Sequence, residues 1–367
     1  MATIVLAGGG TGGHVYPALA IGDVLRARGH RVIVYGDPDR LEARVAPQRG
    51  FPFRPVQAAQ FPRTGVLGKV RFLWSLLVGV AKVRTMLAED GADAVFGVGG
   101  YIAAPTVLAG WTLGRRTIVH EANVVPGLAN QLCARVADRV LVTFEATVPR
   151  LPGPRTPEVV GVPVDPAVLV GDRAEAAARY GLSPDAVTVM LVGGSLGAAR
   201  INELALALAR RERAYQVLHL CGPRFEADVR AALGDALPPA YALVPYEDRM
   251  GQAYALADLV VSRAGSVTLA ELSAVGRAAV LVPSPHVTEN HQEHNARGLA
   301  RAGAAEVLVE DRWVLDEAVA RVEALLSDRE GLGRMGEAAR LLAHPGAAEH
   351  VADVVLEALH GKGPARV

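Results

Sequence analysis

Three glycine-rich turns, and the histidine that ends the first of them, hold most of the chemistry this sequence can offer. Gly8-Gly9-Gly10-Thr11-Gly12-Gly13 follows an apolar run, fits the pattern G-x-G-x-x-G and leads into His14. Gly97-Val98-Gly99-Gly100-Tyr101 and Gly193-Gly194-Ser195 are two further turns of the same kind. Lacking Cβ atoms, such turns let backbone N–H groups approach a phosphate at a helix N-terminus, where the dipole favours negative charge. Each taken singly could be no more than a tight strand-to-helix turn, whereas three together suggest two phosphorylated ligands. The first, with Asp37 as an acidic partner, also fits a dinucleotide, so a nicotinamide enzyme stays open at this level. A histidine's ordinary pKa of about 6.5 suits a general base, and His14 sits at the edge of a phosphate-type loop. Asp37-Pro38-Asp39 resembles an Asp-x-Asp metal pair, but Pro38 and the neighbouring Gly36 predict a turn, and no metal is expected in the chemical step. Cys133 and Cys221 lie in no metal-ligand spacing and read as buried free thiols.

The elements that position these turns come twice. Thr3-Ile4-Val5-Leu6-Ala7 before the first turn is echoed by Val187-Thr188-Val189-Met190-Leu191-Val192 before the third. Each is followed by apolar residues near the 3.6-residue helical period, Ala18, Leu19, Ile21, Val24 and Leu25 in one case and Ile201, Leu204, Ala205 and Leu208 in the other. Short β-rich runs at 31–35, 94–98, 117–119 and 139–142, and again at 216–220, 259–261, 279–282 and 306–309, alternate with helical patterns and predict parallel sheets. Two doubly wound α/β domains result, with ligands expected in a cleft at their strand ends. The proline-rich stretch 149–166 reads as the hinge between them. The domains are therefore placed at 1–161 and 162–343, with 344–367 a final helix and tail returning to the first.

At 367 residues the chain is long enough for two cores, and 51% hydrophobic with 21% charged residues is ordinary for a folded α/β protein. Net charge is zero, but the first 150 residues are basic and the remainder acidic. A basic half suits an anionic lipid, a membrane surface or nucleic acid. No recognition motif that interleaves basic and aromatic residues supports nucleic acid. No basic leader precedes the first turn, which predicts a cytoplasmic protein. The longest apolar run, 72–81, is too short to span a bilayer. Around it, Leu67, Lys69, Arg71, Phe72 and Trp74, with Lys82, Arg84 and Trp111, combine apolar bulk and cations in the manner of a peripheral membrane patch; a plain buried helix is the alternative.

Gly9 to His14 with Pro17, Gly97 to Tyr101, His120-Glu121-Ala122-Asn123 with Pro126-Gly127-Leu128, Gly193-Gly194-Ser195, Arg263-Ala264-Gly265-Ser266-Val267-Thr268-Leu269-Ala270-Glu271 and the segment 283–296 occur in one order along nearly the whole chain. Together they resemble the MurG-type, lipid II-forming family of bacterial transferases, which move N-acetylglucosamine from its UDP form to undecaprenyl-pyrophosphoryl-N-acetylmuramoyl-pentapeptide. The resemblance implies two Rossmann-like domains facing a central cleft, the GT-B arrangement, at the cytoplasmic face of the membrane. It implies an inverting displacement by the acceptor sugar's C4 hydroxyl, with His14 as base and Glu121 in reserve, and no cofactor. Carried over by motif, the donor would meet Thr11, Gly12, Gly13, Asn123, Gly194, Ser195, Val267, Thr268, Glu271, His291 and Gln292, with Glu271 on the ribose hydroxyls. Arg263 would either offset diphosphate charge or form a structural ion pair. Gly100, Tyr101, His120 and Asn130 would shape the acceptor side.

Two departures stand out. Val162-Pro163-Val164-Asp165 occupies the place of the family's Asn-Pro-Val-Arg, and Glu247 stands where an aliphatic residue beside uracil is expected. The rival readings are a transferase of the same fold with another lipid acceptor, a UDP-sugar epimerase, and a non-catalytic nucleotide-binding protein.

Overall fold

The computed structural model describes residues 1–9, 12–58, 66–234 and 236–361. It divides into two compact units, Met1–Pro163 joined by the C-terminal segment from Gly346, and Val164–Pro345. The first carries seven strands: β1 (Thr3–Ala7), β2 (Arg31–Gly36), β3 (Phe53–Pro55), β4 (Ala94–Gly97), β5 (Arg116–Glu121), β6 (Arg139–Val142) and β7 (Glu158–Val159). They lie in the order β3-β2-β1-β4-β5-β6-β7 and pair in parallel throughout. The second carries β8 (Thr188–Val192), β9 (Gln216–Leu220), β10 (Tyr241–Val244), β11 (Leu259–Ser262), β12 (Ala278–Leu281) and β13 (Ala305–Val307), all parallel, in the order β10-β9-β8-β11-β12-β13.

Both sheets are covered on two faces, which is why their strands read as unbroken apolar runs. The two-residue period sends Ile4 and Leu6 to one face, against Val15, Leu19 and Leu25 of the helix Gly12–Ala27. Val351, Val354 and Val355 of the helix Ala347–His360 complete that layer, so the C-terminal helix belongs to the first core. Val5 and Ala7 face the other way, against Val83, Leu87, Ile102 and Val107.

The strand order locates the site. The order in which strands are added reverses between β1 and β4 in the first sheet and between β8 and β11 in the second, and ligands of doubly wound sheets sit at the carboxyl ends of the strands flanking such a switch. Gly8 and Gly9 follow β1 and the turn 97–101 leaves β4, while 193–197 and 263–265 leave β8 and β11.

Three strands absent from the sequence reading, β3, β7 and β10, are all sheet edges. β7 lies inside the stretch read as a hinge and pairs with β6, so that reading is corrected in part: proline is tolerated beside an edge strand, and the segment is partly sheet. Further along it, Pro166 opens a short 3-10 turn, Pro166–Leu169, capped by Asp165, whose Oδ1 accepts the Ala167 N–H at 3.0 Å.

Candidate functional site

In the first unit the two glycine turns interlock. A Cβ at Gly9 would overlap the carboxylate of buried Glu42, and one at Gly100, where φ is +79°, would lie 2.9 Å from the Gly9 carbonyl oxygen. At Gly99 a Cβ would stand 3.1 Å from Nε2 of His14 and 3.3 Å from Nδ2 of Asn130. One bare stretch of backbone therefore gathers His14, from the first turn of helix Gly12–Ala27, and Asn130, from the helix Leu128–Ala134. Tyr101 donates its hydroxyl to Oδ2 of Asp37 at 2.5 Å, and Oδ1 of Asp37 accepts the Asp39 N–H at 2.8 Å. That hydroxyl holds the Asp37 carboxyl below its usual range. One oxygen of Asp37 thus serves the turn expected at Asp37-Pro38-Asp39, and the other holds Tyr101.

His120, on β5, is buried, and its Nε2 lies 2.8 Å from the Gly161 carbonyl oxygen. Since a carbonyl only accepts, Nε2 carries the proton. Burial pushes this ring down to about 4, the Gly161 bond opposing and the nearby His14 adding to the fall, so His120 is neutral at physiological pH. Glu121 is buried beside it. Its Oε1 accepts the Asn123 N–H at 2.9 Å and side-chain Nδ2 at 3.3 Å, and its Oε2 accepts the Gly127 N–H at 3.0 Å and Asn130 Nδ2 at 2.8 Å. Burial raises its pKa against these four bonds. Four donors fill the lone-pair sites of a carboxylate, so Glu121 organises Asn123, Asn130 and the loop between them and has no open oxygen for a substrate proton. Thr11 lies outside the described residues, as do the side chains of Leu67 and Lys69.

The helix Val66–Glu89 packs against the helix Ala103–Thr112 and leaves Leu73, Trp74 and Leu77 more than half exposed, Trp74 at 69%. Arg71, Lys82 and Arg84 are exposed on the same helix, Phe72 is half-buried, and Trp111 on the partner helix is 42% exposed. Among the described residues, no helix is long and apolar enough to cross a membrane.

In the second unit, the exposed turn Gly194-Ser195-Leu196 leads into the helix Ala199–Ala209, and the turn after β11 leads into the helix Ser266–Val275. Neither helix has a side-chain cap, Ala198 and Gly265 being the cap residues, so the N–H groups of both first turns are available to an anion. Val267 and Thr268 are half-buried on the second of these helices, and buried Asn295 fixes the preceding turn through a 3.3 Å bond from Nδ2 to the Ala264 carbonyl. Glu271, one turn further along, accepts the Tyr254 hydroxyl on Oε2 at 2.9 Å. Burial pushes its carboxyl up to about 7, Tyr254 opposing and the charge of Asp165 adding to the rise. Gln292 accepts the Ser284 N–H on Oε1 at 2.9 Å, which leaves its NH2 as the group it offers a ligand. His291 opens the same helix, His291–Arg301.

Arg263 resolves to the ion-pair alternative. Its guanidinium pairs with Glu310 and donates to the Val282 carbonyl at 3.1 Å, tying the exit of β11 to that of β12. Its charge is paired inside the unit. Glu247 is explained in the same way. Its fully buried side chain accepts the Tyr180 hydroxyl at 2.6 Å, Arg179 Nε and Nη2 at 3.1 and 3.0 Å, and the Arg249 N–H at 2.7 Å. Burial alone would raise this carboxyl, but those bonds more than offset it and hold it low. The carboxylate therefore points inward and shapes the 246–249 loop from below. Glu247→Ala is expected to lower the thermal midpoint, since the stranded Tyr180 hydroxyl alone costs about 1–3 kcal/mol. A melting curve by circular dichroism checks this; an unchanged midpoint would remove the knot from the account.

Sequence reasoning missed Glu42, Tyr254 and Asn295. Each acts on a partner from another element, Glu42 accepting the Asp37 N–H at 3.0 Å, and nothing local in the sequence marks such pairs.

Comparison with known proteins finds matches over both units. The glycosyltransferase family 28 N-terminal domain matches residues 4–142 and the glycosyltransferase family 28 C-terminal domain residues 188–351. A relative from Clavibacter sepedonicus is 42% identical over 98% of this chain and 97% of its own length, and is named UDP-N-acetylglucosamine--N-acetylmuramyl-(pentapeptide) pyrophosphoryl-undecaprenol N-acetylglucosamine transferase. A relative of the same name from Halothermothrix orenii is 35% identical over 98% of this chain and 99% of its own. The crystal structure of Acinetobacter baumannii MurG superposes with a TM-score of 0.81 at 31% identity, covering 97% of this chain and all of that one.

Proposed function

Because the chain belongs to glycosyltransferase family 28, matched in both of its halves, we propose that it transfers N-acetylglucosamine from UDP-N-acetylglucosamine to the C4 hydroxyl of an undecaprenyl-pyrophosphoryl-N-acetylmuramoyl-pentapeptide. The observation that carries this reading is that each sheet presents glycine turns at its topological switch point, in a chain that full-length relatives of a single name match end to end. The enzyme is a glycosyltransferase of GT-B fold.

In this proposal the second unit holds the donor. N–H groups at 194–196 and at the start of helix Ser266–Val275 receive the diphosphate, Glu271 accepts from the ribose hydroxyls, and Gln292 and His291 reach the sugar. The two uncapped helix ends stabilise the departing UDP by their dipoles, the part a divalent metal plays in other transferases. The first unit holds the acceptor: the turns 8–13 and 97–101 take its pyrophosphate, with Tyr101, His120 and Asn130 shaping them. His14 removes the C4 proton as the hydroxyl attacks the anomeric carbon and the bond to UDP breaks, inverting that centre. Transfer of labelled N-acetylglucosamine to a short-chain lipid acceptor in the presence of EDTA tests the acceptor class and the metal-free chemistry together. Binding of UDP-N-acetylglucosamine without transfer would point to another acceptor, and restoration by magnesium alone would refute the metal-free step.

The exposed Leu73, Trp74 and Leu77 beside Arg71 and Lys82 support a peripheral seat on anionic membrane, which a lipid-linked acceptor requires. Trp74→Glu is expected to lower partitioning onto phosphatidylglycerol vesicles by about tenfold or more, from lost apolar burial and charge repulsion, with transfer to a water-soluble acceptor unchanged. Equal sedimentation of wild type and variant would reject the patch.

A further inference from the structure

Beneath the turn 193–197 lies a buried polar chain that the chemistry above does not use. His219 on β9, Asn202 on the helix Ala199–Ala209 and Tyr241 on β10 are each at most 5% exposed. His219 Nδ1 lies 2.6 Å from the Tyr241 hydroxyl and Nε2 lies 2.9 Å from Oδ1 of Asn202, while Asn202 Nδ2 lies 3.0 Å from the Cys221 carbonyl oxygen.

Only one arrangement of protons satisfies all three contacts. The Cys221 carbonyl accepts, so the Asn202 amide presents NH2 to it and its oxygen to His219. His219 must then donate from Nε2. Burial pushes its pKa down to about 3, so the ring is neutral, and Nδ1 accepts the Tyr241 hydroxyl. The chain runs one way, Tyr241 to His219 to Asn202 to Cys221, with every member satisfied, the condition under which a buried network fixes geometry.

Its end point is the turn itself. Gly197 has φ +79°, and a Cβ there would overlap the Cys221 carbonyl and stand 2.8 Å from the Phe225 ring; a Cβ at Gly222 would stand 2.5 Å from the Gly197 backbone. The Cys221-Gly222 backbone is thus the floor on which Gly197 rests. Asn202, one turn into the helix, ties that floor to the helix whose first N–H groups open beside it.

We propose that His219, with Tyr241, is a positioning residue for the donor diphosphate: through Asn202 and the Cys221 carbonyl it sets the register of the 193–197 turn against its helix. This rests on the reading of that turn as the diphosphate cradle. Misplacement should weaken the diphosphate contacts and leave the uridine contacts intact, a split that a merely stabilising network would not produce.

The test is calorimetric binding of UDP and of uridine at pH 8 to the full chain. His219→Leu is expected to weaken UDP by about tenfold or more while uridine stays within about twofold, displacement of about an ångström at a preorganised site being enough for such a loss. His219→Gln, whose amide can donate to Asn202 and accept from Tyr241 as the neutral ring does, is expected to restore UDP binding. Wild-type affinity for UDP in His219→Leu, or equal loss of UDP and uridine, overturns the proposal. If His219→Leu does not fold, Tyr241→Phe carries the test, and an unchanged UDP-to-uridine ratio there overturns it as well. The cradle reading fails separately, and takes the proposal with it, if the wild-type protein binds UDP no better than uridine.

Discussion

Replacing His14 by alanine is expected to lower kcat by about 10²- to 10⁴-fold, the range that a positioned general base contributes. Affinity for UDP-N-acetylglucosamine should hold within about twofold of wild type, because in this account His14 acts on a proton that moves only in the transition state. The geometry behind this is specific to His14. It stands in the first turn of helix Gly12–Ala27 against Gly99. His120, its neighbour, is held neutral down to about 4 by burial and gives its Nε2–H to Gly161. Glu121 has four donors on its two oxygens. Any limb in the kcat profile between pH 5.5 and 8 therefore cannot come from His120. Single-turnover transfer at saturating donor, beside calorimetric donor binding, separates the two parameters. Equal losses in both would make His14 a donor-binding residue and leave the reaction without an identified base.

How much of this was legible in the sequence follows from the range of each interaction. The glycine turns at 97–101 and 193–197, the helices Gly12–Ala27 and Ala199–Ala209 and the central strands β1, β4, β8 and β11 are local patterns of spacing and apolar period, and the structure places them where those patterns lie. The edge strands β3, β7 and β10 are two to four residues long and gain their definition from a neighbour, so period alone does not reveal them. The same boundary runs through the site. Ser195, Glu271 and Gln292 are legible as members of spaced motifs, whereas what each carboxylate or guanidinium is paired with is not. Arg263 meets Glu310, Glu247 meets Arg179 and Tyr180, and Glu271 meets Tyr254, all across 17 residues or more of sequence. Glu247 is the sharpest instance. In the sequence it is a charge where an aliphatic residue belongs, and in the fold it is the buried centre of its own hydrogen-bond set, so the departure is absorbed below the loop.

The other departure, Asp165 in the place of a family arginine, bears on donor binding in the proposed reading of Glu271 as the ribose acceptor. Its negative charge adds to the burial that pushes Glu271 up to about 7, where the family's arginine would have pulled it down. In that proposal the ribose hydroxyls donate to the ionised carboxylate, so the donor-binding form would be the one lost as pH falls through 7. Each unit below that value should weaken donor binding by about tenfold, so KM for UDP-N-acetylglucosamine is expected to rise about tenfold from pH 8 to pH 6. The UDP-sugar diphosphate is esterified at both ends and does not titrate in this range, so the profile reports the protein. Proton release on binding near pH 6.5, measured in buffers of different ionisation enthalpy, should accompany it, and Asp165→Asn should move the midpoint to lower pH. A donor KM that is flat between pH 6 and 8 would sink the assignment of Glu271 to the ribose.

Stability should respond with the opposite sign. A carboxyl whose pKa is higher folded than unfolded binds more protons in the native state, so its penalty is absent below the unfolded value and grows as pH rises, reaching its full size above about 7. Glu271→Gln keeps a hydrogen-bonding oxygen for Tyr254 and removes that penalty. The variant is therefore expected to melt at or above the wild-type temperature at pH 8, with no such advantage at pH 4, while its donor affinity is lost at every pH. A variant that loses stability and donor binding together at pH 8 would mean that Glu271 holds the helix Ser266–Val275 in place. Gain in one with loss in the other is what a ribose carboxylate held against its own burial must show.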